Sequence, residues 1–130
     1  MGAIELIKEY LPRAVENGQD IEAREAMVNA IFLGGMSFNN AGLGYVHSMA
    51  HQLGAVYNLP HGVCCAMILP IIERENAKRV PAAFRDVAKA LGLDIAGKTD
   101  EECADYAIEQ IEELSAKVGI PKKLIELDIK

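Results

Sequence analysis

The sequence contains no tryptophan and only three phenylalanines, so we expect a core built mainly from aliphatic side chains. It also has few cysteines, and the spacing of Cys64, Cys65 and Cys103 fits neither a zinc ribbon nor a CxxC redox motif. An odd count with an adjacent pair favours a reducing compartment. We therefore predict a cytoplasmic protein in which all three cysteines are small buried residues on helices.

An excess of positive charge is also lacking, since 19 acidic residues outnumber 13 basic ones and give a formal net charge of -6. Neutralising phosphates requires clustered lysines and arginines, so this balance argues against nucleic acid and against an anionic membrane surface. No basic segment leads into a long apolar run, as it does in a signal peptide. The most apolar stretch, residues 62–72, is too short to span a bilayer. We expect neither a nucleic-acid nor a membrane partner.

Sustained alternation of apolar and polar residues is missing, and almost every segment shows the apolar spacing of a helix. The sequence predicts a single all-α domain over residues 1–130, a bundle of about six helices. Asp20 is expected to cap the second helix, and Pro81 to take the first position of the fifth. Residues 99–102, Thr-Asp-Glu-Glu, have the pattern of a capping box that opens the sixth helix.

Three residues are expected to disturb the early helices. Pro12 lacks a backbone donor and should bend or interrupt the first helix near Leu11. Gly34 and Gly35 should give the second helix a kink or a close contact.

Residues 26–38 and 63–72 lack a clear polar face, which is typical of helices that lie against neighbouring structure. Exposed apolar faces of this kind also lead us to expect a homo-oligomer.

Histidine is absent outside one short stretch, residues 39–62, which holds all three histidines of the chain. A third helix is expected from near Asn40 to Gly54. His47 and His51 are four residues apart, so on this helix they share a face, with Cβ atoms about 6 Å apart. Such a pair can bind one metal ion, or it can be a pair of hydrogen-bonded core residues.

His61 is predicted to return to the same place. Residues 55–60 span about 20 Å when extended. The helix from Leu53 back to His47 measures only about 9 Å. The loop is therefore long enough to bring His61 level with His47. A hydrolytic zinc site of the HExxH type is excluded, because no glutamate follows His47.

These residues resemble a long signature with specific spacing, that of the iron-dependent alcohol dehydrogenases. This is the group that includes lactaldehyde reductase and propanediol dehydrogenase. The matching positions are Gly42-Leu43-Gly44, His47, Ala50-His51, Leu53-Gly54, Pro60-His61-Gly62 and Leu69-Pro70, with Gly119-Ile120-Pro121 further along the chain.

The resemblance implies a metal-dependent oxidoreductase that moves hydride between a small alcohol or aldehyde and NAD(P), with the metal as a Lewis acid. Such enzymes pair an N-terminal α/β domain for NAD(P) with a C-terminal helical domain. They hold Fe2+, or in some members Zn2+, with one aspartate and three histidines. The resemblance implies that His47 and His61 are metal ligands. It implies that His51 is a catalytic residue beside the nicotinamide, linked to proton relay.

Two parts of that pattern are missing from the sequence. The other two ligands come from an Asp-x-x-x-His segment upstream, but Asp20 is followed at that spacing by Arg24, and no histidine precedes His47. No Gly-x-Gly-x-x-Gly stretch follows a strand. We expect an incomplete metal-binding domain without its NAD(P) domain, inactive by itself. The alternatives are a non-enzymatic helical metal-binding or scaffold module, and a relative of dehydroquinate synthase that uses zinc.

Overall fold

The chain forms only helices within the residues that the computed structural model describes, 1–127. Six α-helices and two single-turn 3-10 helices follow one another, which confirms the all-α class and the expected number of helices. The α-helices are α1 (Gly2–Glu16), α2 (Ile21–Ala41), α3 (Tyr45–Tyr57), α4 (His61–Ala77), α5 (Phe84–Ala90) and α6 (Asp100–Lys117), and the 3-10 helices are Pro81–Ala83 and Leu124–Glu126. No helix in the described part combines the length and the apolar character needed to cross a bilayer.

The predicted starts of α2 and α6 are confirmed by hydrogen bonds at their first turns. The Asp20 carboxylate accepts a hydrogen bond of 3.0 Å from the backbone N–H of Ala23. At α6, the Thr99 hydroxyl accepts from the Glu102 N–H at 3.1 Å, while the Glu102 carboxylate accepts from the Thr99 N–H at 2.7 Å. Pro81 was expected to take the first position of the fifth helix, but it opens the 3-10 helix Pro81–Ala83, and α5 itself begins at Phe84. These caps satisfy backbone donors that a helix leaves unpaired at its N-terminus.

α1 continues through Pro12 to Glu16, so the interruption that was one of its two expected effects does not occur. The other expected effect, a bend near Leu11, stays a prediction. A proline removes one helical hydrogen bond, which is a local loss. Ile4, Ile7 and Leu11 line an open apolar groove of about 620 Å³ that α1 forms with α4, α5 and α6. Ile4 also packs against buried residues of α5 and α6, and most of the stability of a helix in a protein comes from tertiary packing.

α2 continues through Gly34 and Gly35. Of the kink or close contact expected there, the close contact is absent in the described structure. A Cβ atom built at either position would meet nothing within 4 Å. The same part of α2 is largely uncovered, because Val28, Ile31 and Phe32 are 67%, 71% and 66% exposed. The described residues therefore supply no neighbour for this apolar face.

The expected limits of the third helix, Asn40 and Gly54, are both wrong. α2 extends past Asn40 and ends at Gly42, whose φ of 82° breaks the helical geometry. Gly54 lies inside α3, which ends where Asn58 adopts the left-handed conformation, with φ 51° and ψ 40°. Asparagine tolerates that conformation better than most residues. The turn at Asn58 thus ends α3 four residues later than predicted.

Two apolar clusters hold the helices together. The larger lies between α5 and α6 and consists of Phe84, Ala88, Leu91, Cys103, Ala104, Ala107 and Ile108. The smaller joins α3 to α4 through Ala50, Cys64 and Ile68. Small side chains at Ala50 and Cys64 let the two helices approach closely. This second cluster fixes the position of the histidine-bearing segments.

Candidate metal centre

The three histidines meet at one place between α3 and the start of α4. The ring centroids of His47 and His61 are 5.5 Å apart, and those of His51 and His61 are 5.2 Å apart. His47 and His51, one turn apart on α3, have centroids separated by 6.2 Å. The structure therefore brings together all the histidines that the sequence singled out.

The return of His61 depends on a shorter connection than the six-residue loop predicted. α3 ends at Tyr57 and α4 begins at His61, so only residues 58–60 connect the two helices. Asn58 reverses the chain, and Leu59 then passes Gly54, where a Cβ atom would lie 3.5 Å from the Leu59 carbonyl oxygen. A glycine at position 54 lets the returning backbone lie close to α3. His61 thereby reaches the level of His47 and His51.

Cys65 joins the histidines, which the sequence did not predict. Its Sγ lies 3.5 Å from Nε2 and 3.9 Å from Nδ1 of His61. Cys64 and Cys103 are buried as predicted, whereas Cys65 is only half-buried. The signal in the sequence was the spacing of four residues between His61 and Cys65, which places both on one face of α4.

The donor atoms of His47, His61 and Cys65 lie within 4.8 Å of one another. His51 is outside this group of three, although its ring is close to that of His61. Within residues 1–127, no carboxylate joins the group. His47 is half-buried, and His51 and His61 are exposed. His47, His61 and Cys65 therefore form a donor triad, and the imidazole of His51 lies beside it.

The donor triad fits a divalent transition metal. Ligand atoms bound to one such ion at about 2.0–2.3 Å are separated by about 3.3–4.3 Å, depending on the coordination angle. The donor atoms of the triad are at most 4.8 Å apart. A small rotation of the side chains would bring them into that range. Imidazole and thiol donors suit zinc and iron better than magnesium or calcium. These residues are therefore suited to the kind of metal that the resemblance implies.

Burial and the neighbouring Cys64 both raise the pKa of the Cys65 thiol, with burial the larger cause. Burial disfavours the thiolate because the charged form loses hydration. Without a metal, the thiol is therefore held in its protonated form at neutral pH, and it can share a weak S–H hydrogen bond with His61.

Comparison with known proteins shows which family the chain belongs to. The model of the Fe-containing alcohol dehydrogenase family, C-terminal, matches residues 1–130. The chain belongs to this family. The resemblance noted in the sequence is thereby confirmed, and the match to the C-terminal part of the family agrees with the all-α fold.

Individual family members give the same result. The chain is 47% identical over 130 residues to 1,3-propanediol dehydrogenase of Klebsiella pneumoniae, covering 100% of this chain and 34% of that protein. It is 41% identical over 128 residues to lactaldehyde reductase of Escherichia coli (strain K12), covering 98% and 33%. A solved structure, the crystal structure analysis of 1,3-propanediol oxidoreductase, superposes with a TM-score of 0.94 at 46% identity, covering 99% and 34%. The chain spans about a third of the length of the curated relatives it matches.

Proposed function

We propose that this family member is the helical, metal-holding part of an oxidoreductase that interconverts small alcohols and aldehydes with NAD(P). The observation that carries the proposal is the meeting of His47 and His61 on two different helices, in a chain that belongs to the Fe-containing alcohol dehydrogenase family. Relatives named for 1,3-propanediol and lactaldehyde support a small substrate that carries a hydroxyl or carbonyl group.

In this proposal His47 and His61 each present a neutral ring nitrogen to Fe2+ or Zn2+, and the other ring nitrogen needs a hydrogen-bond acceptor to hold the imidazole in place. When bound, the metal supplies Lewis acidity toward the alcohol oxygen, and NAD(P) supplies the hydride acceptor. The half-buried position of His47 restricts its movement, which helps to fix the site before substrate arrives.

His51 is proposed to carry the proton that the alcohol releases. Its ring lies beside that of His61 but outside the donor triad, and its side chain is exposed to solvent. A neutral imidazole can accept a proton at one ring nitrogen and release it to water. The same residue returns a proton when an aldehyde is reduced.

The remaining elements of the complete site are proposed to lie outside these residues. The sequence has no Asp-x-x-x-His segment and no glycine-rich dinucleotide stretch. We propose that a separate α/β domain binds NAD(P), and that the protein acts in the cytoplasm. Family membership favours this function over a dehydroquinate-synthase-like reaction and over a purely structural role for the histidines.

The proposal is tested on the product of the whole gene that encodes this chain. We expect turnover of small primary alcohols with NAD or NADP, loss of turnover on chelation, and recovery with Fe2+ or Zn2+. The upstream sequence is expected to contain an Asp-x-x-x-His segment behind a nucleotide-binding half. Chelator-resistant activity, or an upstream sequence without either element, would contradict the proposal.

A further inference from the structure

Cys65 is the one member of the donor triad that the expected set of one aspartate and three histidines does not include. We propose that Cys65 is a metal ligand, so that His47, His61 and Cys65 form a site with two nitrogen donors and one sulfur donor for zinc or a similar borderline-soft ion. The inference rests on the proposed function, because it takes His47 and His61 as ligands of the same ion.

The distances within the triad suit a shared ion. Cys65 Sγ lies 3.5 Å from His61 Nε2. Two donors at tetrahedral angles on one zinc ion, one sulfur and one nitrogen, are separated by about 3.5 Å. His47 completes the group from the facing helix, with all three donor atoms within 4.8 Å. The ion would therefore link α3 to α4.

The packing of the neighbouring residue holds the thiol in this position. Cys64 is fully buried against Ala50 and Ile68 in the cluster between α3 and α4. Because adjacent residues on a helix point about 100° apart, burying Cys64 leaves Cys65 at the edge of the same interface. Cys65 lies there one turn after His61, where its side chain lies over the histidine.

Coordination changes the chemistry of the site. The metal displaces the thiol proton, which passes to water, and the sulfur then binds as a thiolate. A thiolate donor favours zinc, and cobalt(II) as its spectroscopic substitute, over ions that prefer oxygen ligands. Three donors from one short stretch would also let these 130 residues retain a metal that two histidines alone hold weakly. The competing explanation is a weak S–H hydrogen bond from Cys65 to His61, with no role in metal binding.

Cobalt(II) titration of the full 130-residue chain, under anaerobic reducing conditions, separates these explanations. We expect visible d–d bands together with a near-ultraviolet thiolate-to-cobalt charge-transfer band. Cys65→Ser is expected to abolish the charge-transfer band and to weaken Zn2+ binding by about tenfold or more. Cys103→Ala, which removes a buried cysteine from the other apolar cluster, is the matched control and should keep both properties.

A second measurement does not depend on any variant. Alkylation of the unmodified chain, followed by mass spectrometry, should show that Zn2+ protects Cys65. For the Cys65→Ser variant, circular dichroism reports separately whether the helices are kept. A missing charge-transfer band in the unmodified chain, or no protection of Cys65 by Zn2+, overturns the inference. If d–d bands depend on His47 and His61 but not on Cys65, this inference alone fails. If His47→Ala and His61→Ala leave metal binding unchanged, the proposed function fails with it.

Discussion

The imidazole rings of His47 and His61 lie 5.5 Å apart, centroid to centroid, although fourteen positions separate the two residues along the chain. The two rings come from different helices, so their separation depends on how α3 packs against α4. The turn at Asn58 and the close passage of Leu59 over Gly54 produce this arrangement.

Metal binding should depend on His47 and His61 and only weakly on His51. His47→Ala and His61→Ala are each expected to lower the bound zinc or iron, measured by elemental analysis after gel filtration, by about tenfold or more. His51→Ala is the matched control, since His51 shares the ring cluster but stands outside the donor triad. A metal content that falls equally in all three variants would show that the histidines act together as a structural cluster.

The 130 residues by themselves are expected to show no NAD(P)-linked alcohol turnover, even with Fe2+ or Zn2+ supplied. The reason is the lack of an Asp-x-x-x-His segment and of a glycine-rich dinucleotide stretch in the sequence. The measurement is NAD(P)H absorbance with small primary alcohols at high enzyme concentration, and the product of the whole gene serves as the positive control. Turnover that disappears in His47→Ala would overturn this expectation.

Truncation of Ile108 should weaken the larger apolar cluster. Ile108 is 1% exposed and packs in α6 against the α5 side of that cluster. Ile108→Ala is expected to lower the free energy of unfolding by about 2–5 kcal/mol, measured by urea denaturation, because it leaves a cavity. Ile125→Ala removes the same atoms from a side chain that is 88% exposed, and it should change the value by less than about 0.5 kcal/mol.

Because of the capping box, part of the free energy of unfolding should depend on pH in the acid range. The hydrogen bond from the Thr99 N–H is the largest cause that lowers the pKa of Glu102. A carboxylate whose pKa is lower in the folded than in the unfolded chain stabilises the fold at neutral pH. That contribution is lost as the pH falls below the ordinary glutamate value of about 4.3.

The substitution Glu102→Gln tests this, because glutamine keeps the hydrogen bond of the capping box but does not titrate. The urea midpoint of the variant should fall less between pH 7 and acid pH than that of the unmodified chain. Glu101→Gln removes the same charge one residue earlier, outside the capping box, and it should preserve the original pH dependence. Identical pH profiles for the unmodified chain and Glu102→Gln would refute the linkage.

Self-association is expected through the uncovered face of α2. Val28, Ile31 and Phe32 are exposed there, and apolar surface of this extent tends to pair with a second copy. Phe32→Glu should lower the weight-average mass measured by sedimentation equilibrium. Ile125→Glu, a change of the same kind at an exposed isoleucine in another part of the chain, is the control. An unmodified chain that sediments as a monomer at all concentrations would remove the basis of this prediction.

Local signals in the sequence were sufficient for much of the fold. The caps at Asp20 and Thr99 were predictable because a capping side chain bonds to the backbone only two or three residues away. The helical class followed from apolar spacing, which also involves near neighbours. Gly54 was misjudged because the turn at Asn58 ends α3, so the local preference of glycine did not decide the helix boundary.

The sequence by itself determined the helical class, the capped starts of α2 and α6, the three candidate histidines and the family resemblance, because these depend on residue type and short spacing. Only the tertiary structure decided which donors meet. Cys65 was expected to be an ordinary buried cysteine, yet the packing of Cys64 between α3 and α4 leaves the Cys65 sulfur next to His61. A contact between helices depends on the packing of both, and neither segment alone specifies it.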